Sequence, residues 1–186
     1  MNWKPRLNPW VLRGLGLFVV LVLFVLVLNL CLVALGFRAY TINSAAMAPT
    51  LQFGEHILVN WRAFKNASPQ RGDVVTFVRP DVGKFVFVKR VIAAGGDVIE
   101  GEGDIVKLNG AILHEPYIAP VDTSIPPPPS FGPVTVPAGK FFVIGDARQI
   151  SNDSRYFGCV DSKNIRGKVT YIYWSKEPSR DWTRVK

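Results

Sequence analysis

Cysteine and histidine are scarce in this sequence, and neither is clustered. The 186 residues include two histidines and two cysteines, Cys31 and Cys159. Cys31 lies inside a long apolar segment and Cys159 near the end of the polar part of the chain, so we predict two free thiols rather than a disulfide. Structural zinc sites usually take four cysteine or histidine ligands. We therefore predict no metal site and no cofactor.

Acidic residues are absent from the first 37 residues, and the whole chain carries a net charge of +8. A positive balance of this kind can favour anionic lipid headgroups. In the rest of the chain the basic residues are scattered among acidic ones, and no helix-turn-helix or metal-finger pattern accompanies them. Nucleic-acid-binding domains usually concentrate their basic residues on one face or along one helix. We therefore predict no nucleic-acid partner.

Charge is also missing from one long segment. Between Arg13 and Arg38 the sequence reads GLGLFVVLVLFVLVLNLCLVALGF, in which Asn29 is the only strongly polar side chain. A helix of roughly 20 apolar residues crosses a bilayer core, whereas the apolar part of a cleaved leader is usually about 7–15 residues long. The segment therefore predicts an uncleaved transmembrane anchor over residues 14–37.

Positive residues set the predicted direction of this anchor. Short positively charged flanks tend to stay in the cytoplasm, while long domains cross the membrane regardless of charge. The flank before the span contains three basic residues and two tryptophans at headgroup depth, namely Lys4, Arg6, Arg13, Trp3 and Trp10. We expect residues 1–13 to be cytoplasmic and residues 38–186 to form an extracytoplasmic domain, which faces the periplasm if the membrane is a bacterial inner membrane.

The part of the chain after the predicted anchor lacks sustained helical periodicity. It contains short apolar, β-branched and aromatic runs separated by Gly, Pro, Asn and Asp, a pattern typical of strands and turns. The predicted strands are 56–61, 73–79, 84–94, 97–103, 105–110, 140–146 and 167–175. The predicted fold class is therefore mostly β: an antiparallel sheet or partly open barrel behind a single N-terminal transmembrane helix.

Two segments between these runs carry turn or loop signals. Asn109 and Gly110 stand between two apolar runs, and this dipeptide is the strongest short signal for a hairpin. The segment 123–133, TSIPPPPSFGP, is rich in proline, which cannot donate a hydrogen bond to a sheet ladder. We expect an exposed, extended loop there that is unable to pair in a central strand.

Lys89 stands in an apolar strand. With a side-chain period of two, Phe85, Phe87, Lys89 and Val91 share one face of that strand. In one interpretation Phe85 and Phe87 keep the amine dry, which lowers its pKa and lets the neutral form act as a general base. In the other, Lys89 is an edge-strand lysine whose head reaches water. The strand alone favours the second interpretation.

Four separated segments occur in order behind the anchor. They are S-A-A-M-A-P-T-L-x-x-G-E (44–55), R-G-D-V-V-T-F (71–77), V-K-R-V-I-A-A-G-G-D (88–97) and G-D-A-R-Q-I-S-N-D-S-R-Y-F-G (145–158). Together they resemble the type I signal peptidases, the membrane-bound serine proteases that remove leader peptides from exported proteins. The resemblance extends from the anchor to about residue 175.

The resemblance implies a Ser/Lys dyad rather than a Ser/His/Asp triad. The nucleophile of the family's first motif corresponds to Ala46, and the general base corresponds to Lys89. Ser44 matches a serine that donates a hydrogen bond to the oxyanion, together with the backbone N–H at position 46. Ser151 matches a serine that orients the lysine.

The same resemblance implies further roles and partners. The charged residues that brace the family's site correspond to Asp146, Arg148, Asp153 and Arg155, and two positions of the first motif are expected to bind substrate, Met47 and Pro49. The implied substrates are leader peptides of exported preproteins, with small side chains near the cut in an Ala-x-Ala pattern. The lipid bilayer is the second implied partner.

Alanine at position 46 lacks the hydroxyl that a serine protease deprotonates. As written, the dyad has no nucleophile, and we predict little or no turnover. Ser44 is a poor substitute because two residues of extended chain span about 6.6 Å. A base must lie within about 2.6–3.2 Å of the hydroxyl that it deprotonates.

Two origins of Ala46 stay open. An engineered Ser→Ala change is favoured by the intact Lys89, since a lysine in an apolar row serves no catalytic end without its serine. Natural divergence into a non-catalytic leader-peptide-binding protein is favoured by other departures from the family pattern, at Asn43, Glu55, Gly95 and Ala147. A pilin- or plasmid-transfer peptidase of the same family shares this chemistry and is a further alternative.

Overall fold

The computed structural model describes residues 8–185, and the first of its two compact units contains one long apolar helix. Helix α1 spans Pro9–Ala34. The Asn8 side chain caps it by accepting a hydrogen bond from the Trp10 N–H at 3.0 Å. Its 26 residues extend about 39 Å at about 1.5 Å per residue, which exceeds the roughly 30 Å of a bilayer core. By length and composition α1 can therefore cross a membrane.

The helix lies closer to the N-terminus than the predicted span of residues 14–37. It begins at Pro9, and it ends before Gly36, whose φ of 88° turns the chain out of the helix. Phe37 already belongs to the first strand. The expected cytoplasmic flank falls largely outside the described residues, as do three of its members, Trp3, Lys4 and Arg6.

The second unit, which begins at Arg38, is built mainly from short strands. A single turn of helix, α2, spans Ser154–Phe157. The strands are β1 Phe37–Thr41, β2 His56–Asn60, β3 Val74–Val78, β4 Val86–Ala94, β5 Val98–Glu102, β6 Ile105–Leu108, β7 Ala111–Ile112, β8 Phe131–Thr135, β9 Lys140–Ile144, β10 Val160–Asp161, β11 Ile165–Trp174 and β12 Thr183–Arg184.

These strands form two antiparallel sheets. The larger sheet has the order β1-β2-β11-β3-β4-β9-β10, with β12 pairing β11, and it curls into a half-barrel. The smaller sheet has the order β7-β6-β5-β8. Each predicted strand run overlaps a strand. The predicted fold class, mostly β behind an N-terminal apolar helix, is therefore confirmed.

The predicted hairpin is present between β6 and β7. Asn109 has a φ of 52° and Gly110 a φ of 82°, the two successive positive values that a type I′ turn requires. Lys107 pairs with Ile112, and Leu108 pairs with Ala111. The right-handed twist of the strands favours this turn type, so a two-residue signal was sufficient to predict the hairpin.

The prediction for the proline-rich segment 123–133 is wrong in part. Its last residues begin β8, which includes Pro133 and pairs with β5. β8 is an edge strand of the smaller sheet, where a proline can turn its missing N–H away from the ladder. The Phe131 ring packs directly over Gly101 in β5. A Cβ at position 101 would lie 2.3 Å from the ring, so only glycine fits there without displacing the ring. Proline content excluded a central strand but not an edge strand.

β4 lies inside the larger sheet, and its two edges are paired to different extents. β3 pairs with it from Val86 to Arg90, whereas β9 pairs with it only from Arg90 to Ala94. Within residues 8–185, therefore, no strand covers the β9-side edge of residues 86–89. This half-open edge is the structural feature around which the candidate site is built.

The core holds the loop that follows β1 against the sheet. Ile42, Met47 and Leu51 from this loop are each at most 5% exposed, and they pack in one cluster with Ile57 and Val59 of β2. Burying an apolar side chain of this size contributes about 1.5–3 kcal/mol. Three such anchors fix the path of the loop while leaving the polar residues between them at the surface.

Candidate active site

A cavity of about 550 Å³ lies between the loop after β1 and the half-open edge of β4. Its walls are formed by residues 41–44, 46–47 and 85–89, together with Ile150 and Asn152. Four of the residues to which the resemblance assigns a role in the site line it: Ser44, Ala46, Met47 and Lys89. The cavity therefore brings together the positions expected for the nucleophile, the general base and an oxyanion donor.

The loop Asn43–Gly54, called the 43–54 loop below, is closed at its base by two backbone hydrogen bonds. The Ile42 N–H donates to the Glu55 carbonyl, and the Gly54 N–H donates to the Ile42 carbonyl, both at 2.8 Å. Met47 is 2% exposed and lines the cavity. Pro49, the other position expected to bind substrate, is exposed and does not line the cavity.

Lys89 is buried, with only 6% of its surface exposed. At this exposure the head of the side chain does not extend into bulk water, so the interpretation as an edge-strand lysine with its head in water is wrong. Phe87 packs in the same core region as Val91. Phe85, however, precedes the strand and is 71% exposed, so it does not keep the amine dry as expected. The aromatic row alone therefore does not account for the burial: β3 pairs with the strand at Lys89, and residues of the 43–54 loop line the same cavity.

The environment of the amine favours its neutral form. Burial lowers the pKa of Lys89 below the ordinary lysine value, although Asp153 and Asp146 act in the opposite direction and Arg155 assists the lowering. Both carboxylates are themselves held in ion pairs with arginines. Because these pairs largely neutralise the negative charges near the amine, desolvation dominates.

Ser44 and the backbone of Ala46 already contact each other. The Ala46 N–H donates to Ser44 Oγ at 3.2 Å, and the Ala46 side chain is 6% exposed. These are the two groups expected to bind an oxyanion. An oxyanion at this point would accept from the Ala46 N–H and from the Ser44 hydroxyl, and so replace the hydrogen bond between these two groups.

Ser151 is brought to the same place by a glycine. Its side chain is buried, and its Oγ has no hydrogen-bond partner among the described residues. A Cβ on Gly145 would lie 2.2 Å from Ser151 Oγ and 2.4 Å from the Ala46 carbonyl oxygen. The Ala147 N–H also donates to that carbonyl, at 3.2 Å. The segment 145–151 therefore packs directly on the backbone at position 46.

Replacing Gly145 with alanine should separate these groups. The added Cβ overlaps both the Ser151 hydroxyl and the Ala46 carbonyl, and overpacking of this kind typically costs about 1–3 kcal/mol. In the Ala46→Ser background, we expect the cleavage rate per folded molecule to fall at least about 100-fold, since misplacement of about 1 Å can cost that much. The measurement is kcat on a leader peptide, with thermal unfolding in parallel.

The matched control for this substitution is Gly167→Ala. A Cβ at Gly167 would lie 2.6 Å from the Asn60 carbonyl oxygen, but neither residue lines the cavity. This control should lower the melting temperature without lowering kcat per folded molecule. Equal effects of the two substitutions on kcat would contradict the role assigned to the contact at Gly145.

Arg90 and Asp146 form a buried ion pair next to the cavity. Arg90 Nε and Nη2 donate to the two carboxylate oxygens at 2.9 and 2.7 Å, and both side chains are 1% exposed. Arg90 also donates to the Gly72 carbonyl and to Thr50 Oγ1. The pair therefore ties β4, the start of the 145–151 segment and the 43–54 loop together. The sequence identified Asp146 but not its partner, although Arg90 stands beside Lys89 in the same motif.

Asp153 and Arg155 form a second buried pair. Arg155 Nε donates to Asp153 Oδ1 at 2.8 Å, and the other carboxylate oxygen accepts from the Gly145 N–H at 3.0 Å. Arg155 Nη2 also donates to the Arg148 carbonyl at 2.7 Å. This pair therefore holds the 145–151 segment through the backbone at both Gly145 and Arg148.

Arg148 takes its partner from elsewhere in the chain. Its Nη2 donates to Glu115 Oε1 at 2.6 Å, and both side chains are 3% exposed. The Tyr117 hydroxyl donates to the same oxygen at 2.8 Å, and burial together with the Glu115 charge raises the pKa of that hydroxyl. Glu115 has no motif around it, so the sequence offered no signal for this contact.

Comparisons with known proteins place the chain among peptidases. A family model described as signal peptidase, peptidase S26, matches residues 15–174. The chain is 31% identical to a probable signal peptidase I-2 of Synechocystis sp. over 181 residues, which cover 92% of this chain and 76% of that protein. It is 34% identical to signal peptidase IB of Staphylococcus aureus over 148 residues, which cover 73% of this chain and 76% of that protein. A crystal structure of a signal peptidase I from Enterococcus faecalis V583 matches with a TM-score of 0.49 and 33% identity, covering 56% of this chain and 98% of that chain.

Proposed function

The chain belongs to the signal peptidase family, peptidase S26, and we propose that with serine at position 46 it is a membrane-bound serine endopeptidase of the signal peptidase I type. It then removes leader peptides from exported proteins. The observation that carries this proposal is the buried Lys89 on the same cavity as Ser44 and Ala46. With alanine at position 46, the chain binds leader peptides and does not cut them.

The proposed chemistry assigns one step to each group around the cavity. With a serine at position 46, the neutral Lys89 amine accepts the hydroxyl proton while Oγ attacks the scissile carbonyl carbon. The oxyanion accepts hydrogen bonds from the backbone N–H at position 46 and from the Ser44 hydroxyl. The Lys89 ammonium then returns its proton to the leaving amine, and water hydrolyses the acyl-enzyme. Ser151 is assigned to orient the amine: its hydroxyl is buried and has no hydrogen-bond partner among the described residues, Lys89 included, so it is available for that contact.

The half-open edge of β4 supports binding of the leader peptide as an extended strand. Residues 86–89 pair with β3 on one side and with no described strand on the other. Residues 41–44 line the opposite wall of the cavity. A peptide placed between these two backbones adds a strand to the sheet, so main-chain hydrogen bonds supply affinity and the cavity selects side chains.

The membrane arrangement is part of the proposal. Helix α1 anchors the chain in the bacterial inner membrane, with residues 1–13 in the cytoplasm and the domain from about residue 38 in the periplasm. The relatives are signal peptidases by name, and a leader peptide's cut site lies at the membrane surface. The bilayer is therefore the second partner of this chain.

Binding of a leader peptide tests the proposal without catalysis. The full chain with Ala46 is titrated with a fluorescent peptide that has alanine at the third and first positions before the cut, and with a control peptide that has aspartate there. We expect at least about tenfold tighter binding of the alanine peptide, because one desolvated charge costs more than about 1.4 kcal/mol. Equal affinity for the two peptides would argue against the cavity as a leader-peptide site.

A natural non-catalytic binding protein is the second candidate function, and Ala46 favours it. The codon for position 46 in the source gene distinguishes the two candidate functions. A serine codon supports the peptidase, whereas an alanine codon together with leader-peptide binding supports the non-catalytic binding protein. A pilin- or plasmid-transfer peptidase shares all of the site chemistry. Tests with pilin precursors against general preproteins separate that alternative.

The pH dependence of cleavage should report the Lys89 amine. In the Ala46→Ser variant, kcat/KM should rise with pH and level off with a midpoint below the ordinary lysine pKa of 10.5, because only the neutral amine accepts a proton. The same lowering predicts that the free energy of unfolding rises with pH between the folded and the unfolded pKa, since the unfolded chain binds the extra proton there. A flat rate profile, or unfolding curves that Lys89→Met leaves equally pH-dependent across that window, would contradict this assignment.

A further inference from the structure

The segment after β11 contacts the 43–54 loop, although it lies beyond the residues 15–174 that the family model matches. It is held compact by its own hydrogen bonds. The Ser175 N–H donates to Asp181 Oδ1 at 2.6 Å, and the Arg180 N–H donates to the Glu177 carbonyl at 2.9 Å. This short turn projects the Arg180 side chain toward the loop.

Arg180 forms an ion pair with Glu55 at the base of the loop. Arg180 Nε donates to Glu55 Oε1 at 2.6 Å, and Nη2 donates to Oε2 at 3.2 Å. The Ser175 hydroxyl and the Gln52 N–H donate to the same carboxylate at 3.0 and 2.8 Å. Glu55 is 2% exposed and the Arg180 side chain 23%, so removing the arginine leaves a buried carboxylate without its cation, which is destabilising.

Arg180 also holds the backbone of the loop itself. Its Nη2 donates to the carbonyl oxygens of Pro49 and Thr50 at 3.2 and 3.0 Å. From the other side, Arg90 Nη2 donates to Thr50 Oγ1 at 3.1 Å. The 43–54 loop is therefore gripped between two guanidinium groups, one from β4 and one from the C-terminal segment.

We propose that Arg180 and Glu55 form a clamp that positions the 43–54 loop for catalysis, with Arg180 as a positioning residue. The catalytic part of this inference rests on the proposed function. The carbonyl groups that accept from Arg180 lie three and four residues after Ala46. The Leu51 N–H donates to the Met47 carbonyl at 2.8 Å and closes the turn that contains them. Movement at position 50 therefore reaches the N–H at position 46, and catalytic groups tolerate only about 0.5 Å of displacement.

The charge state of the clamp is suited to neutral pH. Burial opposes ionisation of Glu55, but the Arg180 hydrogen bond, followed by those of Gln52 and Ser175, outweighs it and holds the pKa below the ordinary glutamate value. The contribution of Glu55 to stability is therefore fully present at neutral pH, and it is lost only as pH falls through this lowered value.

Amide hydrogen exchange tests the clamp in the chain with Ala46, where no catalysis is needed. Arg180→Met should speed exchange of the loop amides, including Ala46, Leu51 and Gln52, by at least about tenfold, because the loop loses the hydrogen bonds that Arg180 donates to its backbone. Amides of β3 and β4 should change less than about twofold. Arg184→Met removes the same charge from the same segment, at an exposed side chain with no described partner, and should change neither set.

Kinetics in the Ala46→Ser background tests the positioning role. Arg180→Met should lower kcat by about 10- to 100-fold while KM stays within about threefold. The reason is that the substitution weakens contacts made only in the transition state and leaves ground-state binding of the substrate unchanged. Arg180→Lys keeps the charge but not the planar fork, and should give an intermediate loss. Glu55→Gln provides the same test from the other partner if Arg180→Met does not fold. Arg184→Met should retain full activity.

The outcomes that overturn the clamp are distinct from failure of the proposed function. Unchanged exchange of the loop amides in Arg180→Met and in Glu55→Gln rejects it, whatever the activity. A loss of kcat that merely follows the unfolded fraction at the assay temperature also rejects it, because that is the effect of general destabilisation. If Ala46→Ser cleaves no leader peptide at all, the proposed function fails, and the exchange experiment still decides the clamp.

Discussion

Replacing Ala46 with serine should convert this chain into an endopeptidase that removes leader peptides. The change restores a hydroxyl on a cavity that the buried Lys89 amine also lines. Loss of a catalytic serine costs about 10⁶ in rate in a well-studied serine protease. We therefore expect cleavage at least about 10³-fold faster than by the chain with alanine. The measurement is the appearance of mature protein from a preprotein, with the cut site read by mass spectrometry.

The matched control for this gain is Ala45→Ser. It makes the same chemical change one residue earlier, at an exposed position that does not line the cavity. The control should remain inactive, because residue 45 does not line the cavity that Lys89 lines. A folded Ala46→Ser protein that cuts no preprotein, or equal cleavage by both variants, would reject the assignment of position 46.

Replacing Lys89 with methionine should abolish the activity that Ala46→Ser creates. Methionine retains much of the apolar volume but has no nitrogen to accept the serine proton, and a general base and nucleophile act as a unit. We expect kcat/KM to fall by about 10³-fold or more. Lys89→Arg should be equally inactive, since a guanidinium is not deprotonated in proteins. The measurement is single-turnover cleavage at saturating enzyme.

Stability separates this loss from unfolding. Because Lys89 is buried and its ammonium form is disfavoured, Lys89→Met should be at least as stable as the parent at neutral pH. The matched control is Lys107→Met, which changes a half-exposed lysine in the smaller sheet and should leave cleavage intact. Retained activity in Lys89→Met would remove the lysine from its assigned role.

Much of the fold was predictable because its signals are local. The uncharged run, the period-two strands and the Asn109-Gly110 turn each depend on neighbouring residues alone. One exception was the segment 123–133, where proline excluded a central strand but could not exclude the edge strand β8. Whether a strand lies at an edge depends on the order of strands in the sheet, which local sequence does not carry.

The sequence identified several residues that line one cavity, but it did not predict the contacts of the charged residues around it. Asp146 and Arg148 were expected to brace the site, yet their partners are Arg90 and Glu115, 56 and 33 residues away in sequence. The Arg180 contact with the 43–54 loop spans a still longer separation. Ion pairs between distant segments depend on how the sheet brings those segments together, and no local sequence motif predicts them.

The amino-acid sequence by itself determined that an apolar helix precedes a β domain, and that no hydroxyl stands at position 46. Both follow from side-chain chemistry that is the same in any conformation. Only the tertiary structure decided whether Lys89 is buried or solvated. The strand sequence alone favoured a solvated edge residue, whereas the side chain is buried. The Lys89 side chain is buried beside a cavity whose other walls include residues 41–44, 46–47, 150 and 152. The carboxylates that act on its pKa are Asp146 and Asp153, and all of these residues lie far from residue 89 in sequence.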